Sequence, residues 1–166
     1  MSYNEVLERQ YTRNIPQQGK VEWIGIRPQR MLEVYSVSEV IANPDTGLEG
    51  DHFNKSSTGK RQVTLIQQEH LDVLARILGK SEIPPELLRR NIVVSGINLL
   101  ALKHQQFQVG EVLLETTGIC APCSRMEENL GAGGYNSMRG HGGITAKIIQ
   151  GGQIKIGDIV KLALIS

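Results

Sequence analysis

The sequence predicts a mainly β domain, in which short strands form a β-barrel that carries one longer helix and several short helices. Short aliphatic segments recur along the 166 residues and are punctuated by many of the 18 glycines, which is typical of strands joined by tight turns. Aromatic residues make up only 4% of the chain, so isoleucine, leucine and valine must build the core. A closed barrel is favoured because closure leaves no strand edge unpaired.

The first quarter of the chain predicts two strands behind a polar segment. Residues 1–20 are a polar lead-in, and the domain proper is expected to occupy 21–166. Residues 21–26 and 31–41 have the apolar alternation of strands. The sequence Asn-Pro-Asp-Thr-Gly over 43–47 is a dense turn signal.

A strand over 62–66 is expected to lead directly into the longer helix. Apolar residues from Gln68 onward keep helical spacing, and Gly79 supplies the stop. A helical turn opened by two prolines follows over 86–90, ahead of a short buried strand over 91–94.

The second half of the chain predicts further strands around a glycine-rich stretch. The strand segments are 96–102, 107–109, 109–117, 144–149, 153–156 and 159–165. Helical turns are expected over 124–130. Six glycines within 131–143 demand an irregular backbone, which is either a tight barrel corner or a loop whose amides approach a phosphate.

Composition and charge exclude several classes of protein. The 18 basic residues nearly cancel the 17 acidic ones, so bulk charge argues against nucleic-acid binding. The apolar runs are far shorter than the roughly 20 residues that span a bilayer. The polar start lacks the apolar core of a signal peptide. A cytoplasmic protein without membrane or nucleic-acid partners is therefore expected.

The two cysteines, Cys120 and Cys123, form a C-x-x-C pair directly after a strand. The pair admits several roles: two buried thiols, a zinc site, a thioredoxin-like redox pair, or one reactive cysteine that binds a cofactor or carries sulfur. Arg125 and the start of a following helix would favour the thiolate form. The histidines available to complete a zinc site are His52, His70, His104 and His141, at no standard spacing.

Two polar segments are candidates for binding an anion. Arg89 and Asn91 lie two residues apart at the entrance of a strand, so their side chains project to the same side. The arginine provides a fork for phosphate or carboxylate, and the amide suits the edge of a heterocycle. The loop over 48–61 contains His52 and Arg61 and tolerates an anion. Each segment taken alone also suits an ordinary solvated turn.

The order of these motifs along the chain is more informative than each motif alone. The series is G-D-H over 50–52, K-R-Q-V-T-L-I over 60–66, R-R-N-I-V-V-S-G-I-N-L over 89–99, V-G-x-V-x-L over 109–114 and Pro-Cys over 122–123. This series resembles the MOSC domain, named for the C-terminal region of molybdenum cofactor sulfurases. The resemblance spans about 21–164 and is greatest to the small stand-alone bacterial members.

The resemblance implies a β-barrel similar to the barrel domain of pyruvate kinase, with Cys123 as its functional thiol. In relatives this cysteine gives a thiolate to molybdenum or is proposed to carry sulfur. Arg89 and Asn91 match the element that contacts the pterin cofactor. The expected cofactor-binding set is Arg89, Asn91, Arg61, His52 and Arg125. Cys120 is an additional thiol, which would resolve a sulfenate or persulfide on Cys123.

The function implied is a reductase of N-hydroxylated compounds, such as hydroxylamine derivatives of bases, that uses a molybdenum cofactor of the molybdopterin type. Its partners would be a small-molecule substrate and a separate electron-donor protein. The first alternative is a sulfur carrier that receives a persulfide on Cys123 from a cysteine desulfurase for metal–sulfur cluster or cofactor assembly. Pyridoxal phosphate would belong to that desulfurase, since no lysine motif for it is visible here. The second alternative is a non-catalytic module that binds the pterin cofactor or a partner protein.

Overall fold

The structure, a computed structural model, describes residues 1–52 and 59–164. The strands are β1 Gly19–Ile26, β2 Tyr35–Val37, β3 Glu39–Asn43, β4 Gly47–Leu48, β5 Val63–Gln67, β6 Ile92–Ser95, β7 Gln106–Val109, β8 Val112–Ile119, β9 Ile144–Gln150, β10 Gly152–Lys155 and β11 Ile159–Leu162. The helices are α1 Tyr3–Thr12, α2 Gln68–Leu78, α3 Ser124–Leu130 and α4 Gly134–Met138. Two 3-10 turns lie at Pro85–Leu88 and Leu99–Leu102.

Seven strands form a closed barrel in the order β1, β11, β7, β8, β9, β5, β6 and back to β1. The seam between β1 and β11 is only two residue pairs long, Gly19 with Val160 and Lys20 with Ile159. Strand β2 continues the same edge of β1 at its other end, and β10, β3 and β4 form a small second sheet. The predicted mainly β barrel is therefore confirmed.

Aliphatic side chains fill the barrel, as the composition predicts. Val21, Ile24, Leu65 and Ile92 are fully buried there, and Phe107 adds an aromatic ring. A second apolar cluster lies outside the barrel wall, under α2 and α3; it is made of Ile66, Leu71, Leu74, Ala75, Ile83, Leu88, Val93, Met126, Leu130 and Met138. The two clusters hold the barrel and its helices together by apolar burial.

Strands β5 and β6 are parallel, whereas the other barrel neighbours are antiparallel. A parallel pair needs a crossover connection, which α2 and the first 3-10 turn supply. Gly79 ends α2 in the left-handed conformation, with φ of 66°, as the sequence predicts. The crossover brings the amino ends of both strands to the same end of the barrel.

Two strand predictions were wrong. The segment 31–41 does not form one strand, because Met31 has a positive φ of 76° and the chain is regular only from β2 onward. The segment 96–102 contains a 3-10 turn, because this turn buries Leu99 and Leu102 completely while the Asn98 side chain accepts a hydrogen bond from the Leu100 N–H.

Two helices lie where only irregular chain was expected. Helix α1 forms within the polar lead-in, where Ser2 and Glu5 make a reciprocal capping box, and none of its residues is buried. Helix α4 lies inside the glycine-rich stretch and packs on α3 through Gly134. The expected irregular loop over 48–61 falls partly outside the described residues, at 53–58, as does residue 165 of the last predicted strand.

None of the helices in the described part of the chain is long and apolar enough to cross a membrane.

Candidate functional site

A polar cleft of about 250 Å³ opens at one end of the barrel. The amino ends of β5 and β6 meet the carboxyl end of β1 there, and the segment after β8 runs beside them. The cleft is lined by Arg27, Val34, Asp51, His52, Arg61, Thr64, Arg89, Arg90, Asn91, Cys123 and Met126. We call Asp51, Thr64, Arg90 and Asn91 the floor, and His52, Arg61, Arg89 and Cys123 the rim.

Asn91 is held by every hydrogen bond that its amide can make. Its Oδ1 accepts from the N–H and the Oγ1 of Thr64, at 3.0 and 3.1 Å. Its Nδ2 donates to the carbonyl oxygen of Gly25 at 3.2 Å and to Oδ2 of Asp51 at 3.3 Å. Two acceptor and two donor positions are thus occupied within the protein. Asn91 therefore joins β1, β5 and the loop before residue 53 at one point.

Asp51 is positioned by this network and lies between β1 and Asn91. Its Oδ1 accepts from the N–H of Arg27 at 2.7 Å, and the N–H of His52 donates to the Arg27 carbonyl oxygen at 2.6 Å. Burial raises the pKa of Asp51; the hydrogen bonds from Arg27 and Asn91 and the nearby charges of Arg27 and His52 offset this only in part. Among the described residues that line the cleft, Asp51 is the only carboxyl group.

Arg90 forms the deepest part of the floor and is only 5% exposed. Its Nε and Nη1 donate to the carbonyl oxygens of Gly142 and Leu88, both at 2.9 Å, and its Nη2 donates to that of Cys120 at 3.4 Å. Burial lowers the pKa of its guanidinium, an effect opposed by the two nearby cysteines. Arg90 thereby ties the segment after β8 to the start of β6.

The glycine-rich stretch ends in a barrel corner. A Cβ on Gly142 would overlap the Cys120 carbonyl oxygen, and one on Gly143, where φ is +84°, would overlap that of Leu65. Only glycine permits backbones to approach so closely here. Of the two possibilities left open by the sequence, the corner is the one observed for Gly142 and Gly143.

The two cysteines lie in different surroundings. Cys120 is buried, its N–H donates to the Gly143 carbonyl oxygen at 2.9 Å, and its Sγ accepts from Nη2 of Arg61 at 3.6 Å. Cys123 is exposed, occupies the N-cap position of α3 without a side-chain capping hydrogen bond, and lines the cleft. Both thiols are free. A reagent that enters the cleft meets Cys123 first.

The cleft carries a strong excess of positive charge. Four arginines, Arg27, Arg61, Arg89 and Arg90, line it together with the carboxyl group of Asp51. Within residues 1–52 and 59–164, the Nη1 atom of Arg27 is buried without a hydrogen-bond partner. An unpaired buried donor costs free energy, so an anion that accepts from Arg27 would be stabilised there.

Most of the residues expected from the sequence meet in this cleft. Cys123, Arg89, Asn91, Arg61 and His52 all line it, whereas Cys120 lies behind it. Arg125 does not line it; its Nη2 lies 2.8 Å from the Met31 sulfur, and its side chain lines a neighbouring cavity of about 330 Å³.

Sequence reasoning missed Arg27, Thr64 and the particular role of Asp51. Asp51 stands in the G-D-H motif, but the motif does not show that its carboxyl faces Asn91. Arg27 follows β1 with no motif around it, so only the pairing of β1 with β6 brings it to the cleft. Thr64 has no distinguishing pattern in the sequence. Its hydroxyl accepts a hydrogen bond from the Asn91 N–H only because β5 lies beside β6.

The histidines do not complete a zinc site with the cysteines in the part of the chain that is described. His70 and His141 stack edge to face, with ring centroids 5.2 Å apart, and His104 is exposed in a turn. No three His, Cys, Asp or Glu side chains cluster to hold a metal among residues 1–52 and 59–164. A metal at Cys123 would need its remaining ligands from a cofactor.

Comparison with known proteins gives one family and one fold. The MOSC domain model matches residues 46–161. The solved structure of YuaD from Bacillus subtilis is similar with a TM-score of 0.77 at 19% identity, covering 92% of this chain and 100% of that one. YiiM from Escherichia coli gives a TM-score of 0.68 at 17% identity, covering 89% of this chain and 71% of that one. YiiM from Geobacillus stearothermophilus gives a TM-score of 0.70 at 14% identity, covering 88% of this chain and 75% of that one. A search of curated proteins finds no match.

Proposed function

The chain belongs to the MOSC domain family, and on that basis we propose that it binds a molybdenum cofactor of the molybdopterin type in the cleft and reduces N-hydroxylated compounds. The observation that carries the proposal is one exposed thiol, Cys123, in a cleft lined by four arginines. A phosphorylated pterin needs cationic donors, and molybdenum accepts a soft thiolate.

The residues of the cleft fit such a cofactor. The unpartnered Nη1 of Arg27 and the guanidinium groups of Arg61 and Arg89 suit phosphate oxygens, while Cys123 supplies the thiolate. Asn91 has no free hydrogen-bonding position, so its role is to hold Asp51 and the strand ends in place. When bound, the cofactor would supply the two-electron chemistry that removes oxygen from nitrogen.

The chain's own residues would bind and orient the cofactor and enclose the substrate. Arg90 fixes the segment that carries the cysteines, so Cys123 stands on an anchored backbone. The neighbouring cavity shares Val34 and Arg89 with the cleft and adds the apolar side chains of Met31, Leu32 and Leu87. Glu33, Glu86, Arg125 and Asn129 line the same cavity, and this mixture of apolar and polar side chains suits a small heterocyclic substrate. Electrons would come from a separate donor protein.

Metal analysis tests this proposal directly. The protein is purified from a host that makes molybdenum cofactor, as wild type, Cys123→Ala and the neighbouring control Cys120→Ala. We expect near-stoichiometric molybdenum in wild type and Cys120→Ala and almost none in Cys123→Ala. Reduction of an N-hydroxylated nucleobase, driven by a chemically reduced viologen, should be lost in Cys123→Ala and only weakened in Cys120→Ala. Wild-type protein that contains no molybdenum would refute the proposal.

The second candidate function is sulfur transfer, which the exposure of Cys123 favours. A persulfide on Cys123 would be open to a partner, and Cys120 would stay protected behind it. Incubation with a cysteine desulfurase and free cysteine, followed by mass spectrometry, would then show 32 Da added in wild type and none in Cys123→Ala. Molybdenum retained without turnover or persulfide would instead indicate a non-catalytic binding module.

A further inference from the structure

We propose that Asp51 is a proton donor for the reaction in this cleft, an inference that rests on the proposed reductase function. Asp51 lines the same cleft as Cys123 and is the only carboxyl group among the described lining residues. Neither the family match nor the sequence motifs assign it a role. The assignment comes from the contacts that hold it.

Two hydrogen bonds, one to each oxygen, hold the carboxyl group of Asp51 at the wall of the cleft. Oδ1 accepts from the N–H of Arg27, and Oδ2 accepts from Nδ2 of Asn91. Each oxygen keeps a second lone-pair position, so a proton on either oxygen can point to the cavity while both contacts remain. Because Asn91 is itself held by Thr64 and Gly25, the group is oriented before a substrate enters.

Asp51 lies among basic side chains in the described part of the cleft. Arg27 and His52 are the nearest to act on it, and Arg61, Arg89 and Arg90 line the same cavity. The hydrogen bonds from Arg27 and Asn91 and the interactions with Arg27 and His52 favour the carboxylate, whereas burial favours the neutral acid. Burial is the larger of these influences and raises the pKa of Asp51 from its ordinary value of 3.8. The neutral acid thus persists to higher pH than an exposed aspartic acid would.

The reaction needs such a donor. Conversion of R₂N–OH to R₂NH and water breaks the N–O bond and consumes two electrons and two protons. When bound, the reduced cofactor of the proposed function would supply the electron pair, and an electron-donor protein would restore it. Neutral Asp51 gives its proton to the departing oxygen, which leaves as water. Solvent at the exposed rim protonates the nitrogen and afterwards Asp51.

The test compares Asp51→Asn with Asp45→Asn, whose carboxyl group is exposed in the turn before β4. Molybdenum content, kcat for an N-hydroxylated nucleobase with reduced viologen, and the pH dependence of kcat are measured for both and for wild type. We expect unchanged molybdenum in Asp51→Asn and a kcat about 100-fold lower, which is typical of losing a general acid. Wild-type kcat should fall as the pH rises through the pKa of Asp51, and this limb should disappear in Asp51→Asn only.

A second measurement does not depend on activity or on the variant's folding. Carboxyl carbon-13 NMR of the wild-type protein, with Asp51 assigned through its backbone, should show titration above 3.8. Titration at or below that value would overturn the donor role, as would an unchanged kcat in Asp51→Asn. Molybdenum loss in Asp51→Asn would instead make Asp51 a cofactor-binding residue, which also overturns it. Wild-type protein without molybdenum would overturn the proposed function, and this inference with it.

Discussion

Arg89 and Arg90 are neighbours in the chain, yet they belong to the two contrasting regions of the cleft. Arg90, on the floor, is 5% exposed and donates to three backbone carbonyl oxygens. Arg89, on the rim, follows a 3-10 turn in the left-handed conformation, with φ of 58°, and its half-buried side chain lines both cavities. The Arg90 guanidinium holds backbone segments together, and the Arg89 guanidinium is available to a ligand in the cleft.

The same division separates Cys120 from Cys123. Cys120 is enclosed by the glycine corner and Arg61, while Cys123 is exposed three residues later. The floor residues Arg90 and Asn91, whose polar groups are engaged within the protein, contribute mainly stability and position, whereas the rim residues Arg89 and Cys123 contribute binding and reactivity. Four experiments test how sharp this division is.

The largest expected loss of stability comes from a substitution in the glycine corner, Gly142 and Gly143, behind the floor. Gly143→Ala should lower the free energy of unfolding by about 4 kcal/mol or prevent folding, because the new Cβ overlaps the Leu65 carbonyl and φ is positive. The matched control is Gly140→Ala, where φ is also positive but a Cβ meets no atom within 4 Å. It should cost about 1 kcal/mol. Urea unfolding measures both, and equal losses would contradict the packing described for the corner.

The adjacent arginines give the next effect. Arg90→Met should lower the free energy of unfolding by about 3 kcal/mol, because three buried carbonyl oxygens lose their donor. Arg89→Met should change it by less than about 0.5 kcal/mol. Calorimetric titration with inorganic pyrophosphate should show weaker binding in Arg89→Met. An Arg89→Met variant as unstable as Arg90→Met would remove the distinction between rim and floor.

The cysteines should differ by reaction rate. Cys123 should react with iodoacetamide at least about 100-fold faster than Cys120, since Cys120 must be exposed by a local opening that costs about 3 kcal/mol. Peptide mass spectrometry on the native protein over time separates the two sites. Cys120 should remain slow in Cys123→Ala. Similar rates for both thiols would show that Cys120 is not protected in solution.

The smallest effect is a pH dependence of stability. The folded protein holds the Asp51 proton to higher pH than the unfolded chain, because burial raises the pKa of Asp51. Stability from this group is therefore lost as the pH rises from 3.8 through the native pKa. The free energy of unfolding of Asp51→Asn minus that of wild type should therefore increase as the pH rises over that interval. Above the interval this difference should stay constant. A difference that moves in the opposite direction would show that the carboxylate is favoured in the fold.

The sequence predicts the barrel well and the cleft only in part. Aliphatic alternation and glycine spacing are local signals, so β1, β5, β8 and β9 could be anticipated, and the helical spacing from Gln68 located α2. Residues in motifs, such as Cys123 and Arg89, were found for the same reason. Arg27 could not be found, because its place depends on which strand ends meet when β1 pairs with β6.

The direction of a side chain is also set by the fold and not by local sequence. The sequence placed Asn91 toward a ligand, but its amide is engaged by Thr64, Gly25 and Asp51 once three strands converge. Arg125 was grouped with the cofactor residues because it follows Cys123 closely. The turn of α3 carries it to the neighbouring cavity instead.

The two-pair seam between β1 and β11 bears on the order in which the barrel assembles. It joins residues about 140 positions apart in the chain, Gly19 and Val160, so it is among the most non-local contacts in the barrel. A nascent chain that ends before β11 already contains all of the described residues that line the cleft, together with the glycine corner. The residues of the cleft are thus synthesised before β11, the strand that closes the barrel. Until β11 is present, one edge of β1 and one edge of β7 are unpaired and can pair wrongly with other chains.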